Sequence, residues 1–452
     1  MFDNIAAISS GSKVNQPISI IRVSGPDAVE IVKKVYKGRV GRDHEITYGK
    51  IQNNQGEMVD EVLVMWFVGK EKDGEIVYNN YVGEPLVEIN AHGGIVVTNR
   101  ILELLLANGA RLATPGEFTR RAFLNGKLDL VKAEAIHDII MAKTTKQTQI
   151  TVAKLDGKTS SKLDVLENKL SYLIGLLEVN IDYPEYDDIE VVTDNEIRPK
   201  VAELVKEMNE IVHLSERSKY IFEGVNVAIL GKPNVGKSSI LNALLSEEKA
   251  IVTDIAGTTR DLVEAAYQID GLLFKLVDTA GLRKTEEVVE KIGIERSLSQ
   301  IDKADVIIHV LDHTQVENEY DDLIRKEVLA TNKFYLPVMN KSDLLQEKDQ
   351  KMITVSAINK EISELENALV DLFKDIDVND ERLLSNTRQL SLIKKASLHL
   401  QEALDAIQDY ALSFDVIIVD LIAAWEAMRE IRGRVDKEDL LDTMFKNFCL
   451  GK

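Results

Sequence analysis

The stretch NVAILGKPNVGKS, residues 226–238, decides the fold of the middle of this chain. Its first half is a short apolar run, which is typical of a buried strand. Its second half, GKPNVGKS, matches the phosphate-binding loop pattern G-x-x-x-x-G-K-[ST], placed between a strand and a helix as that pattern requires. Glycines there let backbone amides close around the β-phosphate at the positive end of the next helix. The sequence therefore predicts that Lys237 reaches the β- and γ-phosphates and that the Ser238 hydroxyl binds Mg²⁺.

Strands and helices alternate from about residue 220 to about residue 378. The apolar runs LLFKLVD, ADVIIHVLD, FYLPVMN and MITVSA follow the phosphate-binding loop, with helical sequence between them. Such alternation is typical of a doubly wound α/β domain with a largely parallel sheet. The sequence IDG at 269–271 predicts a hairpin turn that leads into LLFKLVD.

A second motif, NKSD at residues 340–343, ends a later strand and indicates which base is bound. A carboxylate at Asp343 accepts from both N1–H and N2–H₂ of guanine, and adenine offers no such pair of donors. Lys341 is expected to lie over the base, and Asn340 to tie this loop to the phosphate loop. The residues SAI at 356–358 supply a backbone amide to guanine O6. A site built on such hydrogen bonds rejects the wrong base by about 10⁴ or more.

Two further segments predict that the bound nucleotide is hydrolysed. TDIAGTT at 253–259 is typical of a first switch segment. In DTAG, Asp278 holds the hydration shell of Mg²⁺ and the Gly281 amide touches the γ-phosphate. Leu282 then stands where many GTP-hydrolysing switches carry the glutamine that orients the attacking water. The motifs together predict a GTPase that lacks this glutamine.

The residues alone leave two replacements for the glutamine open. An arginine finger, worth about 10³–10⁵ in rate, would come from Arg260 or Arg283. The alternative is a bound monovalent cation, held by the side-chain oxygen of Asn234 and by backbone carbonyls of residues 253–259. Carbonyl oxygens in a flexible ring suit K⁺.

The sequence on either side of this α/β unit has a different character. Residues 1 to about 118 carry short, glycine-punctuated apolar runs and a helical stretch, as in a mixed α/β domain. Helical sequence follows, with apolar stripes typical of helix-bundle cores, and it returns after residue 380. The first stripe comprises Leu163, Leu166, Leu170, Leu173 and Leu177, and the second comprises Ile197, Val201, Leu204, Met208 and Ile211. The α/β unit is therefore expected to be inserted into a helical domain.

Composition limits the partners and the compartment. The 452 residues carry a net charge of −20, so any RNA contact needs a local basic patch, for which Arg120, Arg121 and Lys127, or Lys394 and Lys395, are candidates. Cys449 is the single cysteine, which fits a reducing compartment. MFDNIAAISS lacks the features of a secretory signal. FDVIIVDLIAAW contains two aspartates, so no membrane span is expected. We expect a cytoplasmic protein.

Six segments resemble the tRNA-modification GTPase family MnmE, also called TrmE, over essentially the whole chain. They are GKPNVGKSS, TDIAGTTRD, DTAGLR followed by VEKIGIERS, NKSD, PGEFTRRAFLNGKLDLVKAEAI and the terminal FCLGK. The GTPase motifs alone also fit ribosome-assembly GTPases that bind rRNA, which is the alternative function. The PGEFTRRAF block and FCLGK are specific to the first family.

The resemblance implies four segments: an N-terminal α/β domain that binds a folate and dimerises (1–118), a helical domain in two parts (119–217 and 379–452), and an inserted Ras-like P-loop GTPase domain (218–378). It implies that G domains dimerise across their nucleotide faces. K⁺ is then held by Asn234, Thr253, Ile255 and Thr258, and Mg²⁺ by Ser238 and Thr259. Glu290 positions water and Lys237 contacts the phosphates. The implied GTP-binding residues are Asn234, Val235, Gly236, Lys237, Ser238, Ser239, Thr253, Asp254, Ile255, Ala256, Gly257, Thr258, Thr259, Asp278, Thr279, Ala280, Gly281, Asn340, Lys341, Ser342, Asp343, Ser356, Ala357 and Ile358.

For the rest of the chain the resemblance implies a 5,10-methylene- or 5-formyl-tetrahydrofolate, bound by Arg22, Glu88, Lys127 and Lys452. Cys449 is either an apolar plug or, as the resemblance favours, a catalytic thiol. The implied assembly is a homodimer joined to an FAD- and NADH-dependent partner similar to MnmG in a heterotetramer. The implied reaction adds a carboxymethylaminomethyl group to carbon 5 of the wobble uridine, U34, of certain tRNAs.

Overall fold

The computed structural model of the chain describes residues 3–10, 14–182, 194–245, 250–251, 265–277, 299–344, 352–408, 414–434, 444–445, 448 and 451. Its backbone contacts divide the chain into two compact units. The first comprises Met1–His137 with Arg429–Lys452, and the second comprises Asp138–Met428.

The first unit is built on a seven-stranded sheet with the strand order β3-β4-β5-β8-β2-β1-β9. Neighbouring strands are antiparallel except for β1 and β9, which pair in parallel. A separate hairpin joins β6 and β7. The strands are β1 (Ile5–Ile8), β2 (Ile18–Ser24), β3 (Tyr36–Gly38), β4 (Glu45–Gln52), β5 (Met58–Phe67), β6 (Lys70–Lys72), β7 (Glu75–Val77), β8 (Leu86–His92) and β9 (Arg111–Leu112).

The first unit also contains the helices α1 (Ala28–Val35), α2 (Ile95–Ala107) and α3 (Glu117–Leu124), and the part of α4 (Leu130–Met141) up to His137. Apolar side chains of α1 and α2 share one core with the sheet, whereas Phe118 of α3 packs in a second core with Ile5 and Ala7 of β1. The side chains of β1 alternate between the two cores, with Ala6 and Ile8 in the first and Ile5 and Ala7 in the second, because successive side chains of a strand point to opposite faces.

The second unit contains a mostly parallel seven-stranded sheet in the order β11-β12-β13-β10-β14-β15-β16. All seven residues of β14 are buried, as expected for a central strand covered on both faces. The carboxyl ends of the five parallel strands meet at one edge, where ligands bind in open α/β sheets. The strands are β10 (Val225–Leu230), β11 (Ala250–Ile251), β12 (Ala266–Ile269), β13 (Leu272–Leu276), β14 (Val306–Asp312), β15 (Phe334–Asn340) and β16 (Ile353–Thr354).

The predicted hairpin joins β12 to β13. Ile269 pairs with Leu272, so the loop contains only Asp270 and Gly271. Both have positive φ, 47° and 73°, which is the conformation of a type I′ turn. The turn prediction is confirmed.

Helices supply the rest of the second unit, and the two apolar stripes form their buried faces. All five leucines of the first stripe lie on α6 and are buried, and so are the five residues of the second stripe on α7. The helices are α5 (Thr145–Leu155), α6 (Lys158–Asp182), α7 (Asp194–Phe222), α8 (Lys237–Leu244), α9 (Glu319–Leu329), α10 (Ser363–Asp371), α11 (Thr387–Gln408) and α12 (Phe414–Ile431).

The predicted fold class, α/β plus α with an inserted P-loop domain, is confirmed. The three boundaries between the four predicted segments, at 118/119, 217/218 and 378/379, stay predictions. Among the residues that the structure describes, no helix combines the length and the apolar character needed to cross a membrane.

Candidate nucleotide-binding site

The phosphate-binding loop leaves β10 at Gly231 and enters α8 at Lys237. Gly231 has a φ of 144°, and a Cβ there would collide with the carbonyl oxygen of Val310. Gly236 caps α8 with a φ of 97°, and a Cβ would collide with the side chain of Asn340. Asn234 has a φ of 62°, which asparagine tolerates better than most residues. Local sterics therefore require the two glycines of the motif.

Lys237 lies within this loop. Its ammonium donates to the carbonyl oxygens of Gly231 at 2.8 Å and of Lys232 at 2.5 Å. Burial lowers the pKa of Lys237 to about 8. Ser238 is exposed and Ser239 half-buried in the first turn of α8. The loop thus presents a lysine and two hydroxyls at a helix N-terminus, which is suited to an anion.

Asn340 joins three loops at the carboxyl edge of the sheet. Its Nδ2 donates to the carbonyl oxygen of Val235 at 2.8 Å, and its Oδ1 accepts from the Ala357 amide at 3.2 Å. Asn340 is 3% exposed, so these bonds are shielded from water. The phosphate loop, the NKSD segment and the SAI segment are brought together by this one side chain.

Asp343 lies in a 3₁₀ turn, Ser342–Leu344, and is exposed. Its Oδ1 accepts from the Ser356 hydroxyl at 2.7 Å, which links the NKSD and SAI segments a second time. Ile358, the last residue of SAI, is exposed. A fixed, exposed carboxylate beside loop amides is the arrangement that accepts the two N–H donors of guanine.

Lys341 has a buried partner that the sequence analysis did not identify. Its ammonium donates to Oδ2 of Asp312 at 2.6 Å, and the amide and hydroxyl of Thr314 donate to Oδ1 at 2.9 and 2.8 Å. Burial would raise the pKa of Asp312, but the hydrogen bonds from Lys341 and Thr314 outweigh burial and hold the pKa below its usual value. The position of Asp312 could have indicated this partner, because Asp312 ends β14 at the same edge of the sheet where β15 ends in Asn340.

In the first unit, Arg22 and Glu88 face each other on β2 and β8. Arg22 donates from Nε at 2.8 Å and from Nη2 at 2.7 Å to the same oxygen, Oε1 of Glu88. The rings of Tyr81 and Phe118 flank the guanidinium at 5.5 and 5.4 Å. The Gly451 carbonyl accepts from Arg22 Nη1 at 3.4 Å. Two of the predicted folate-site residues are therefore brought together beside Gly451 of the FCLGK motif.

Lys127 has a different partner. It donates to the Tyr78 carbonyl at 2.5 Å, and its stem packs against Gly83. No contact recorded for the described residues joins it to the Arg22–Glu88 pair.

Comparisons with known proteins cover the whole chain. A family model described as GTP-binding protein TrmE N-terminus matches residues 4–127, and one described as MnmE helical domain matches residues 130–449. A tRNA modification GTPase MnmE of Mycoplasmopsis pulmonis (strain UAB CTIP) is 55% identical over 456 residues, which is 100% of both chains. The chain belongs to the MnmE family.

More distant similarities are also found. An MnmE of Bacillus mycoides (strain KBAB4), named a tRNA modification GTPase, is 41% identical over 469 residues and 100% of both chains. The G domain of the T. maritima FeoB iron transporter is 27% identical, over 33% of this chain and 99% of that one, with a TM-score of 0.24.

Several residues that the sequence analysis or the MnmE resemblance singles out lie outside the described residues. This group contains the first switch segment, the DTAGLR segment, the glutamate that the resemblance assigns to positioning water, and two residues of the FCLGK motif. They are Thr253, Asp254, Ile255, Ala256, Gly257, Thr258, Thr259, Arg260, Asp278, Thr279, Ala280, Gly281, Leu282, Arg283, Glu290, Cys449 and Lys452.

Two residues near Cys449 in the sequence, Phe445 and Phe448, are described, and both are packed. Phe445 is 2% exposed and shares a core with Leu130 and Ala133. The Phe448 ring stacks on the His137 ring with centroids 4.9 Å apart. Both readings of the cysteine, plug and thiol, stay open.

The candidate basic patch at Arg120, Arg121 and Lys127 is contradicted at its central member. The Arg121 side chain is 2% exposed and forms ion pairs with Glu84 at 2.9 Å and Glu117 at 3.1 Å. A buried, neutralised guanidinium offers no positive charge to RNA. In the other candidate patch, Lys394 pairs with Glu216 at 2.6 Å.

Proposed function

We propose that this chain is a GTP hydrolase that acts, in the cytoplasm, in the modification of wobble uridine U34 of certain tRNAs. The observation that carries the proposal is the junction at Asn340, which holds a guanine-selective loop against a phosphate loop. The family relationship over the full length supports the tRNA substrate, since the similar proteins are named tRNA modification GTPases.

The hydrolytic site needs a positive charge to replace the missing glutamine. K⁺ supplies it when held by Asn234 and by the carbonyl oxygens of the first switch segment. The exposed side chain of Asn234, in a positive-φ turn of the phosphate loop, supports this role. Ser238 and Thr259 would hold Mg²⁺, and Glu290 would position water. Lys237 neutralises the phosphates.

A tetrahydrofolate, as 5,10-methylene or 5-formyl derivative, is proposed as the one-carbon donor. The Arg22–Glu88 pair fits the pterin, because both Arg22 bonds go to Oε1, and Oε2 has no contact recorded among the described residues. That oxygen can accept from the pterin amino group. The Tyr81 and Phe118 rings add apolar surface beside the pair. Lys127 and Lys452 would attract the glutamate tail.

The proposed assembly is a homodimer, with an FAD- and NADH-dependent partner similar to MnmG, that adds a carboxymethylaminomethyl group to carbon 5 of the uridine. Cys449 is proposed as its functional thiol. An rRNA-binding switch in ribosome assembly is disfavoured, because family models for the TrmE N-terminus and the MnmE helical domain cover nearly the whole chain.

Nucleoside analysis of tRNA from cells lacking this protein tests the proposal. We expect the carboxymethylaminomethyl uridines to disappear and to return when the wild-type chain is supplied. The ribosome profile is the control and is expected to stay normal. Unchanged wobble uridines, with a defect in ribosome assembly, would instead support the rRNA-binding alternative.

A further inference from the structure

The second residue of the phosphate loop, Lys232, has its ammonium engaged within the protein. Its Nζ donates to the Val316 carbonyl at 2.6 Å and lies 2.9 Å from Oδ2 of Asp321. The Lys232 side chain is 10% exposed and that of Asp321 is fully buried. Lysine is rarely buried unless it is paired. A buried pair behind a phosphate loop therefore needs an explanation.

Asp321 lies in the first turn of α9 and collects three donors. Besides Lys232, the backbone amide of Asn318 donates at 3.0 Å, and Nε2 of His309 lies 3.2 Å from Oδ1. Burial would raise the pKa of Asp321, but the hydrogen bonds from Lys232, Asn318 and His309 outweigh it and lower the pKa. The carboxylate is thus ionised and opposite the ammonium.

His309, a fully buried residue of β14, extends the chain of bonds to β15. Its Nδ1 lies 2.8 Å from the Tyr335 hydroxyl. Burial lowers the pKa of His309, so the ring is neutral at neutral pH. Because an ionised carboxylate only accepts, Nε2 carries the proton and donates to Asp321, and Tyr335 donates to Nδ1. Every group has its partner, with one positive and one negative charge.

The backbone of Lys232 connects this network to the phosphate site. Its carbonyl oxygen is one of the two that accept from the Lys237 ammonium. We propose that Lys232 is a positioning residue: the buried chain Lys232–Asp321–His309–Tyr335 holds the start of the phosphate loop, and so aligns Lys237 before the nucleotide binds. This inference rests on the proposed GTP hydrolysis and deepens it.

The physical consequence is preorganisation. Removal of one partner from a buried ion pair strands the other charge in the interior. The freed loop must then be ordered at the moment of binding, which weakens affinity. Because Lys237 is proposed to contact the phosphate that is transferred, its misalignment also lowers the turnover number.

The test compares Lys232→Met with Lys232→Arg, and uses Lys326→Met, an exposed position on α9, as the matched control. GDP affinity, kcat and KM for GTP, and the thermal unfolding midpoint are measured on the full chain. We expect Lys232→Met to weaken GDP binding about tenfold and to lower kcat. Lys232→Arg should lie between this variant and wild type, because it keeps the charge with a different shape. Lys326→Met should match wild type.

The double variant Lys232→Met with Asp321→Leu removes both charges, so no unpaired charge is left in the interior. It can therefore be tested even where Lys232→Met alone does not fold. We expect its GDP affinity to stay about tenfold weakened, since nothing holds the loop. Wild-type affinity in the double variant, or a lowered melting point with unchanged binding and kcat in Lys232→Met, would overturn the inference. If wild type and Lys326→Met hydrolyse no GTP, the proposed function fails instead.

Discussion

Lys237 is the residue where burial acts most directly on the proposed chemistry. Burial holds its pKa at about 8 in the nucleotide-free protein, against an ordinary value of 10.5. Phosphates beside the ammonium favour the charged form and raise this pKa again. Nucleotide binding is therefore expected to take up protons wherever the free lysine is partly deprotonated.

The expected uptake is larger at about pH 8.5, above the pKa of the free lysine, than at about pH 7, below it. Calorimetric titration with GDP in two buffers of different ionisation enthalpy measures it, with titrations of GDP into buffer as the control. An uptake that does not rise between the two pH values would show that Lys237 is already fully charged before the nucleotide arrives.

For single residues, the sequence predicts functional roles better than it predicts hydrogen-bond and ion-pair partners. The motif NKSD predicted that Asn340 ties the base loop to the phosphate loop, and the hydrogen bond to Val235 has that geometry. The partner of Lys341 could not be predicted, because Asp312 is 29 residues away in sequence. Only the pairing of β14 with β15 brings the two together.

Among the elements, α3 combines a core residue with a buried charge. Phe118 is fully buried, and Arg121 forms ion pairs with Glu84, Glu117 and Asp3. Glu84 and Glu117 have side chains that are 11% and 9% exposed. Without the guanidinium, both carboxylates would lose a charged partner in a poorly solvated position.

We expect Arg121→Met to lower the free energy of unfolding by about 3–5 kcal/mol. The matched control is Arg100→Met on α2, whose surface ion pair with Glu103 is more than half exposed, and there the change should stay within about 0.5 kcal/mol. Urea denaturation of both variants measures the difference. A loss no larger than that of the control would mean that the carboxylates are compensated by Arg111 and water.

Periodicity explains which elements the sequence could predict. The stripes of α6 and α7 and the apolar runs of β10, β14 and β15 repeat at helical or strand spacing, so their existence follows from burial alone. Two-residue strands such as β9 and β16 carry no period. The burial of Arg121 was also missed, because a charged residue on a short helix is ordinarily solvated.

At the scale of the whole molecule, sequence from the two ends of the chain belongs to the same unit. The first unit contains both ends of the chain, and near the C-terminus the Gly451 carbonyl accepts from the Ser9 hydroxyl at 2.8 Å. The second unit is formed by the sequence between them. The helical sequence before and after the α/β sequence predicted an insertion, but it did not reveal that Gly451 contacts Ser9, next to β1, and Arg22 of β2. Such long-range contacts leave no local pattern.

Activation by K⁺ is the proposal that concerns the molecule as an assembly, since the resemblance couples the ion to pairing of G domains. We expect GTP hydrolysis to be about tenfold faster in KCl than in NaCl of equal ionic strength. An arginine finger would give a larger rate increase, about 10³–10⁵. Equal rates in the two salts would contradict a K⁺ site and return Arg260 and Arg283 to consideration.

The variant Asn234→Gly distinguishes the contribution of ion binding from that of the backbone conformation of the phosphate loop. Asn234 has a φ of 62°, a conformation that glycine adopts without strain, so the substitution removes the amide oxygen and preserves the backbone of the phosphate loop. GDP affinity is the control and should stay near that of wild type. The rate in KCl should fall to the rate in NaCl, because the ring of oxygens around the ion loses a member that backbone carbonyls cannot replace. A variant that keeps its preference for K⁺ would place the ion elsewhere, or assign the salt effect to dimerisation alone.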